Sequence, residues 1–350
     1  MLSAGNLSNH IACSHLTYLD LAATKGTIKP PDYRDPMLSI LQERVLEFEQ
    51  AYLKILKDSG LQINEPNLDD NETALQRTIL AMQQGADVIY QASLRKGIWQ
   101  GRADFLIKVD KLSSLENWSY EVIDSKLAKE TRTGTILQLS LYSELIAGIQ
   151  GIMPEFMHVI TPEGEFLKHT YRLNDFVAYY RFVKSRLEDT ILNADDVIPT
   201  YPIPCAHCEI CNWWQQCDAR RRADDHLSLV AGLSNAHAAE MKKWNVETLQ
   251  KLAVVPLPLP YKPGRGAIET FTKLREQARV QLEARQSQQN VYEYLDIEQG
   301  RGFFKLPLPS TGDIFFDFES DPFAGTTGLE YLFGWVLNIA SGSYPIKKRI

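Results

Sequence analysis

The stretch that most constrains the fold runs from Gly101 to Lys126 and reads GRADFLIKV, a polar turn, then YEVIDSKLA. Alternate side chains of a β-strand point to opposite faces of a sheet. We therefore expect Asp104 to share a face with Leu106 on the first strand, and Asp124 to share a face with Lys126 on the second. Two short strands joined by a polar turn are typical of a β-hairpin. In a hairpin, the two carboxylates and the ammonium group would converge.

This convergence has two interpretations. Carboxylates that share a hard divalent cation beside an ammonium group are typical of a site that hydrolyses phosphodiesters. The alternative is an exposed strand edge with a surface ion pair, because Asp-x-Lys is common by chance. The apolar run ADFLIKV around Asp104 favours the first interpretation, since burying an unpaired carboxylate is costly.

Length and composition limit the class of protein. The 350 residues exceed one typical domain and predict two or three modules, with 44% hydrophobic and 23% charged residues, as in ordinary globular proteins. No apolar run approaches the roughly 20 residues of a bilayer span, and the start MLSAGNLSNH lacks a signal pattern. We therefore expect a cytoplasmic protein without a membrane partner. The net charge of −7 is a mild argument against a nucleic-acid partner, because phosphate binders usually carry basic surface.

The cysteines indicate a metal site. Cys205, Cys208, Cys211 and Cys217 lie within 13 residues, and Cys13 is the fifth. An odd count in a chain without a secretory signal favours metal binding over disulfides. The short gaps are typical of iron–sulfur or zinc ligation. Spacing alone leaves Cys13 and Cys205 as alternatives for a fourth ligand.

Two predicted helices flank the hairpin. The first runs from Met37 to Lys57, with apolar positions that step by three and four: Leu38, Leu41, Val45, Phe48, Tyr52 and Ile55. The second runs from Ile136 to Gly148, and its Gln138 and Tyr142 are four residues apart, so they share a helix face.

This order of motifs resembles the PD-(D/E)XK nuclease superfamily, and specifically its RecB-like branch. The segment GRAD, ending at Asp104, matches G-x-x-D; DSK, from Asp124 to Lys126, matches (D/E)-x-K; Gln138 and Tyr142 match Q-x-x-x-Y. The resemblance implies an α/β fold with a restriction-endonuclease-like core, a mixed sheet flanked by helices. It implies that Asp104 and Asp124 bind Mg²⁺ or Mn²⁺, that Lys126 orients or activates the attacking water, and that Gln138 and Tyr142 support the site.

The chain departs from this family at one position. RecB-like nucleases usually carry a His on an early helix, often followed by Glu, as a further metal ligand. Here the position is Phe48, which we expect in the core, followed by Glu49. Glu49 either substitutes as a ligand or is a solvated helix residue. The departure leaves an alternative function, a catalytically impaired nucleic-acid-binding protein with a structural iron–sulfur cluster.

Some RecB-like nucleases bind a 4Fe-4S cluster through one N-terminal Cys and a C-x2-C-x5-C set after the catalytic core. This resemblance implies Cys13, Cys208, Cys211 and Cys217 as the cluster ligands and leaves Cys205 spare. A second alternative function, from another class, is a zinc-bound scaffold for protein interactions.

The segment FFDFESDPF near the end carries Asp317 and Glu319, two residues apart on an apolar strand. It resembles the opening motif of RNase H-like DEDD exonucleases, in which this pair binds metal ions. Such enzymes need further acidic residues downstream, whereas here 29 residues follow Asp321 and end in SGSYPIKKRI. We therefore expect a truncated domain.

The whole order resembles bacterial RecB-like nucleases in which an iron–sulfur PD-(D/E)XK domain is fused to a YprB-type RNase H-like domain. It implies a nuclease domain over 1–226, a helix–hairpin–helix-like connector over 227–254, a linker and polar helix over 255–307, and a truncated RNase H-like segment over 308–350. The implied activity is metal-dependent hydrolysis of DNA, exonucleolytic on single strands, in repair, recombination or defence. A helicase or recombination protein is the implied partner.

Overall fold

The computed structural model describes residues 1–32, 36–65, 71–164, 166–193, 200–294, 296, 298–321 and 328–337. The basic tail SGSYPIKKRI lies outside these ranges. The chain divides into two compact units, Met1–Gln288 and Gln289–Ile350. The boundaries predicted at 226, 254 and 307 stay predictions.

The first unit is a mixed α/β fold. Its described helices are α1 Ala4–Ala12, α2 Ser14–Thr24, α3 Pro36–Asp58, α4 Asn71–Gln83, α5 Thr133–Gln150, α6 Val177–Leu192, α7 Trp214–Ala223, α8 Asn235–Lys242, α9 Leu249–Ala253 and α10 Ile268–Ser287. Its described strands are β1 Ile63–Asn64, β2 Val88–Lys96, β3 Trp99–Val109, β4 Ser119–Ser125, β5 Phe156–Thr161 and β6 Leu167–Arg172. They form a six-stranded sheet in chain order, in which β1–β2 and β4–β5 are parallel and the other neighbours are antiparallel. The expected mixed sheet flanked by helices is confirmed.

The predicted hairpin is also confirmed. Strands β3 and β4 pair from Val109 with Ser119 to Phe105 with Ile123. Every residue of β4 is buried, as expected for a strand covered on both faces. Asp104 lies just before the terminal pair in β3 and Asp124 just after it in β4, so both carboxylates lie where the ladder ends.

Two layers of helices cover the sheet. On one side, α1, α4, α5 and α6 contribute to the largest core, which includes Leu7, Met82, Leu106, Leu141 and Leu187. On the other side, α3 packs its Tyr52, Leu53 and Leu56 against strand residues that include Phe105 and Ile123. The site at the end of the β3–β4 ladder therefore lies between α3 and α5.

The predicted face of α3 is rotated in the structure. Val45 and Ile55, which we expected in the apolar stripe, are 39% and 43% exposed, whereas Leu53 and Leu56 are buried. Helix α3 alternates apolar and charged residues around much of its surface, so periodicity alone did not select its buried face. The observed face runs from Glu49 through Tyr52 and Leu53 to Leu56, at helical spacing.

A separate core joins the connector segment to α10. Leu227, Met241 and Leu249 pack with Phe271 and Leu274 of that helix. The helix predicted as polar therefore buries one apolar stripe, because its few apolar residues recur at intervals of three and four.

The second unit contains the antiparallel strands β7 Ile314–Asp321 and β8 Leu329–Leu337. Both strands expose most of their apolar side chains. No described helix of either unit combines the length and apolar character that crossing a membrane requires.

Candidate functional site

Two aspartates and one ammonium group meet at the end of the β3–β4 ladder, and a third carboxylate, that of Glu49, lies near them. The carboxyl groups of Asp104 and Asp124 are within hydrogen-bonding reach of each other. Lys126 Nζ lies 2.5 Å from Asp124 Oδ2. Glu49, from α3, is close enough to feel the charges of Asp104 and Lys126. The structure thus brings together Asp104, Asp124 and Lys126 and adds Glu49.

Asp104 is held by Ser125, the residue between Asp124 and Lys126. Its Oδ2 accepts hydrogen bonds from the Ser125 backbone N–H at 2.8 Å and from the Ser125 hydroxyl at 2.9 Å. Both donors serve one oxygen, so this carboxyl is fixed in orientation. Sequence reasoning gave Ser125 no role.

Asp124 is 1% exposed. Its Oδ1 accepts a hydrogen bond from Gln138 Nε2 at 3.0 Å. Its Oδ2 is buried and, among the described residues, is paired with the Lys126 ammonium alone, without an aligned hydrogen bond. Burial, reinforced by the charge of Asp104, raises the pKa of Asp124 to about 7. A buried carboxylate and a half-buried one with one ammonium group beside them fit a cation, because buried negative charge otherwise costs free energy.

Lys126 supplies fixed positive charge. Burial of its ammonium group opposes ionisation, but Asp124, Asp104 and Glu49 together outweigh burial and raise the pKa of Lys126. The side chain therefore stays protonated at neutral pH and cannot serve as a base there.

Glu49 is a buried residue of this cluster, 5% exposed. It accepts a hydrogen bond from the Gln91 amide. Burial and the charge of Asp104 raise the pKa of Glu49. Of its two interpretations, the solvated helix residue is wrong. Phe48 is half-buried and packs against the core from its edge, with its ring 4.9 Å from that of Phe166.

Helix α5 contributes Gln138 and Tyr142, as the spacing predicted. Gln138 Nε2 lies between Asp124 and the Tyr142 hydroxyl, which is 3.5 Å away. Burial and the charges of the two aspartates raise the pKa of Tyr142 to about 12. The hydroxyl therefore remains protonated and able to donate a hydrogen bond.

The strict alternation expected along β3 does not hold at Asp104. Ala103 packs in the same core as Leu106, although the pattern placed them on opposite faces. The same shift occurs in β2, where Ile89 and Ala92 share that core. The cause is Gln91, which lies opposite Asp104 with a left-handed φ of 51° and bends the strand pair.

All five cysteines line one cavity between α2, α7 and the loop before α7. Leu16, Leu19 and Trp213 close it on the apolar side. The Sγ atoms of Cys205 and Cys208 are 4.0 Å apart. Within the described ranges, no three Cys, His, Asp or Glu side chains are arranged closely enough to coordinate one ion. A set of thiols is chemically suited to iron–sulfur or zinc and unsuited to Mg²⁺.

Burial determines the protonation state of cysteine side chains that line the cavity. It raises the pKa of Cys205 and of Cys217 to about 11, so both groups are neutral thiols in the metal-free protein. Trp213 Nε1 donates a 2.9 Å hydrogen bond to Asp20 Oδ1, which ties the start of α7 to α2. The cavity therefore joins segments almost 200 residues apart.

The remaining predicted ligands lie in the second unit. Asp317 and Glu319 are two residues apart on β7, opposite Gly334 and Leu332 of β8. Both are exposed. Their role as metal ligands stays a prediction.

The functional features of the first unit are thus a carboxylate–lysine cluster and a thiol-lined cavity. Asp104, Asp124, Lys126, Gln138, Tyr142 and Glu49 lie in the cluster; Cys13, Cys208, Cys211 and Cys217 lie in the cavity, together with Cys205. Compared with known proteins, the chain matches no protein-family model and no curated protein.

Proposed function

We propose that the first unit is a metal-dependent nuclease with a PD-(D/E)XK core that hydrolyses DNA phosphodiesters. The observation that carries this proposal is the buried carboxylate of Asp124, which lies beside Asp104 and has Lys126 as the single cation paired with its Oδ2 among the described residues. The motif order and the antiparallel β3–β4 pair support it. A buried cluster of this kind, with strongly shifted pKa values, is typical of a functional site.

Asp104 and Asp124 would hold Mg²⁺ or Mn²⁺, because these ions prefer oxygen ligands, and Glu49 lies near enough to add its negative charge. When all groups are ionised, the three carboxylates and Lys126 carry a formal charge of −3 + 1 = −2, which a divalent cation neutralises. A bound cation would lower the pKa of a coordinated water and stabilise charge on the phosphoryl oxygens.

The side chains of the cluster would orient the attacking water and stabilise negative charge on the phosphoryl group. Lys126, held protonated, donates a hydrogen bond to the attacking water or to a phosphoryl oxygen and stabilises negative charge there. The Gln138 amide fixes Asp124, and the protonated Tyr142 hydroxyl offers a further donor. Because these groups are held before substrate binds, little reorganisation is needed at the moment of reaction.

The catalytically impaired alternative rested on Phe48 at the family's His position. Glu49 lies beside Asp104 and gives the cluster a third carboxylate, which favours the enzyme. Single-stranded DNA as substrate, exonucleolytic cleavage and a helicase or recombination partner are proposed from the motif resemblance. In the same proposal, Cys13, Cys208, Cys211 and Cys217 would hold a 4Fe-4S cluster that joins α2 to α7.

The test is cleavage of end-labelled single-stranded and duplex DNA, and of RNA, by the full chain with Mg²⁺ or Mn²⁺. Asp124→Asn and Lys126→Ala are each expected to lose about 10²-fold or more of the wild-type rate. Asp87→Asn and Lys108→Ala are matched controls, because these two residues form a 2.5 Å ion pair on the same sheet away from the cluster.

The controls should cleave at the wild-type rate. Wild-type protein that cuts no nucleic acid with either metal, or an Asp124→Asn variant that cuts normally, would remove the nuclease assignment. Tight DNA binding without cleavage by the wild type would instead identify the nucleic-acid-binding alternative.

A further inference from the structure

Strand β2 contains an unusual residue at the point opposite Asp104. Gln91 has a φ of 51° and lies between the pairs Tyr90 with Phe105 and Ala92 with Ala103. A residue with a β-carbon pays a steric cost in the left-handed region. Such residues persist where their surroundings hold them, and they cluster at functional sites.

The left-handed backbone changes where two consecutive side chains point. The Gln91 amide donates to Glu49 Oε1. The Tyr90 hydroxyl accepts a 2.8 Å hydrogen bond from Gln50 Nε2 of the same helix. In a regular strand, neighbouring side chains point to opposite faces. Tyr90 and Gln91 both reach α3 because the strand turns at Gln91.

We propose that Gln91 is a positioning residue, whose left-handed backbone aims its amide at Glu49 and keeps that carboxylate near Asp104, where its negative charge strengthens cation binding by the two aspartates. This inference rests on the proposed function, since it deepens the account of the same site. Gln91 itself touches neither metal nor substrate. Its effect is exerted through Glu49.

The chemistry of an amide suits this task. Burial and the negative charge of Asp104 both work against an ionised Glu49. The N–H groups of Gln91 are neutral donors that favour the ionised form without adding charge. Outer groups of a metal site typically change metal affinity by 10- to 100-fold when they are removed.

The test compares Gln91→Gly with Gln91→Ala in the full chain. Glycine adopts positive φ without steric cost, so Gln91→Gly relieves the strain while it removes the amide. Loss of the amide leaves Glu49 without a donor in both variants, so we expect Gln91→Gly to melt above Gln91→Ala without metal, while its Mn²⁺ affinity in calorimetric titration falls about tenfold or more. Gln91→Ala keeps the strain, so it should lose affinity similarly and melt below Gln91→Gly.

A matched control is Gln76→Ala. Gln76 also donates to a glutamate, Glu72 Oε1, at 3.3 Å, but this pair is exposed on α4. Its replacement should leave Mn²⁺ affinity unchanged. Glu49→Gln should weaken Mn²⁺ binding by itself, and adding Gln91→Gly to it should cost little more, since both act through one carboxylate.

The outcomes separate this inference from the proposed function. If the wild type binds Mn²⁺, Asp124→Asn abolishes the binding and Gln91→Gly binds normally, the role of Gln91 is refuted and the metal site stands. If the wild type binds no Mn²⁺, both proposals fail. A stable Gln91→Gly variant with weakened Mn²⁺ binding supports the role of Gln91. If the residue were purely structural, Mn²⁺ affinity and thermal stability would change together.

Discussion

The ring of Tyr142 lies so close to Gly101 that a β-carbon at residue 101 would stand 2.2 Å from Tyr142 Cε1. The glycine of the GRAD segment is therefore required by packing: it lets α5 approach β3. Helix α5 also carries Gln138, which bonds to Asp124. This one contact thus sets the distance between the helix and the carboxylates.

Gly101→Ala is expected to push Tyr142 and α5 away from β3. Overpacking of this kind costs about 1 to 3 kcal/mol of unfolding free energy. A displacement near 1 Å at the site would lower the cleavage rate by about 10²-fold. Chemical denaturation and the nuclease assay measure the two effects.

The control is Gly148→Ala, a substitution within α5 itself. Its added β-carbon meets only the flexible Lys96 side chain, at 3.2 Å, and alanine favours helix. We expect unchanged or slightly higher stability and normal cleavage. Equal behaviour of the two variants would contradict the packing role of Gly101.

Asp124 should make the metal-free protein less stable as pH rises. Its ordinary pKa is 3.8, and in the folded protein it is about 7. Between these values the folded state binds more protons than the unfolded state, so unfolding free energy falls with increasing pH. The shift corresponds to about 4 kcal/mol between pH 4 and pH 8.

The measurement is urea denaturation across this range for the wild type and Asp124→Asn. Asp124→Asn lacks this titration. The unfolding free energy of the wild type should therefore fall relative to that of the variant as pH rises. On the proposed function, Mn²⁺ should restore wild-type stability at pH 8 by binding the ionised carboxylate. Parallel pH curves for both proteins would show that Asp124 is not perturbed by burial.

The thiol cavity predicts a specific pattern of metal loss. After anaerobic reconstitution with iron and sulfide, Cys13→Ser, Cys208→Ser, Cys211→Ser and Cys217→Ser should lose visible absorption and bound iron. Cys205→Ser should keep both, since the proposed ligand set leaves Cys205 spare. Colour that survives Cys13→Ser and not Cys205→Ser would overturn this set. Zinc in a colourless protein would support the scaffold alternative.

Trp213 and Trp214 provide a matched pair for the wall of that cavity. Trp213 is buried and donates to Asp20, whereas Trp214 is 40% exposed. Trp213→Phe leaves a half-buried carboxylate without its donor and should cost about 1 to 3 kcal/mol. Trp214→Phe should stay within about 0.5 kcal/mol of wild type. Denaturant midpoints check both values, and equal losses would contradict the role of the hydrogen bond.

The sequence predicted the central hairpin because local rules govern it. Polar residues at Asp104, Asp124 and Lys126 interrupt two apolar runs, and the polar turn between the runs is short enough to pair them as neighbouring strands. Gln138 and Tyr142 were also accessible, since a spacing of four places both on one face of any helix.

Glu49 was a candidate from the sequence, and its burial could also have been predicted. It lies three and four residues before the buried Tyr52 and Leu53, a spacing that continues the inner face of α3. Gln91 could not, because its left-handed φ is set by contacts with α3 and no local preference of glutamine encodes it. The same contacts shift the alternation that the sequence predicted around Ala103.

The middle residue of the DSK segment has a consequence of its own. Ser125 occupies one oxygen of Asp104 with two donors, so the other oxygen alone remains free to face an ion. Ser125→Ala would remove the hydroxyl donor and leave the backbone N–H in place. On the proposed function, the choice between magnesium and manganese would then respond to a side chain that contacts neither ion.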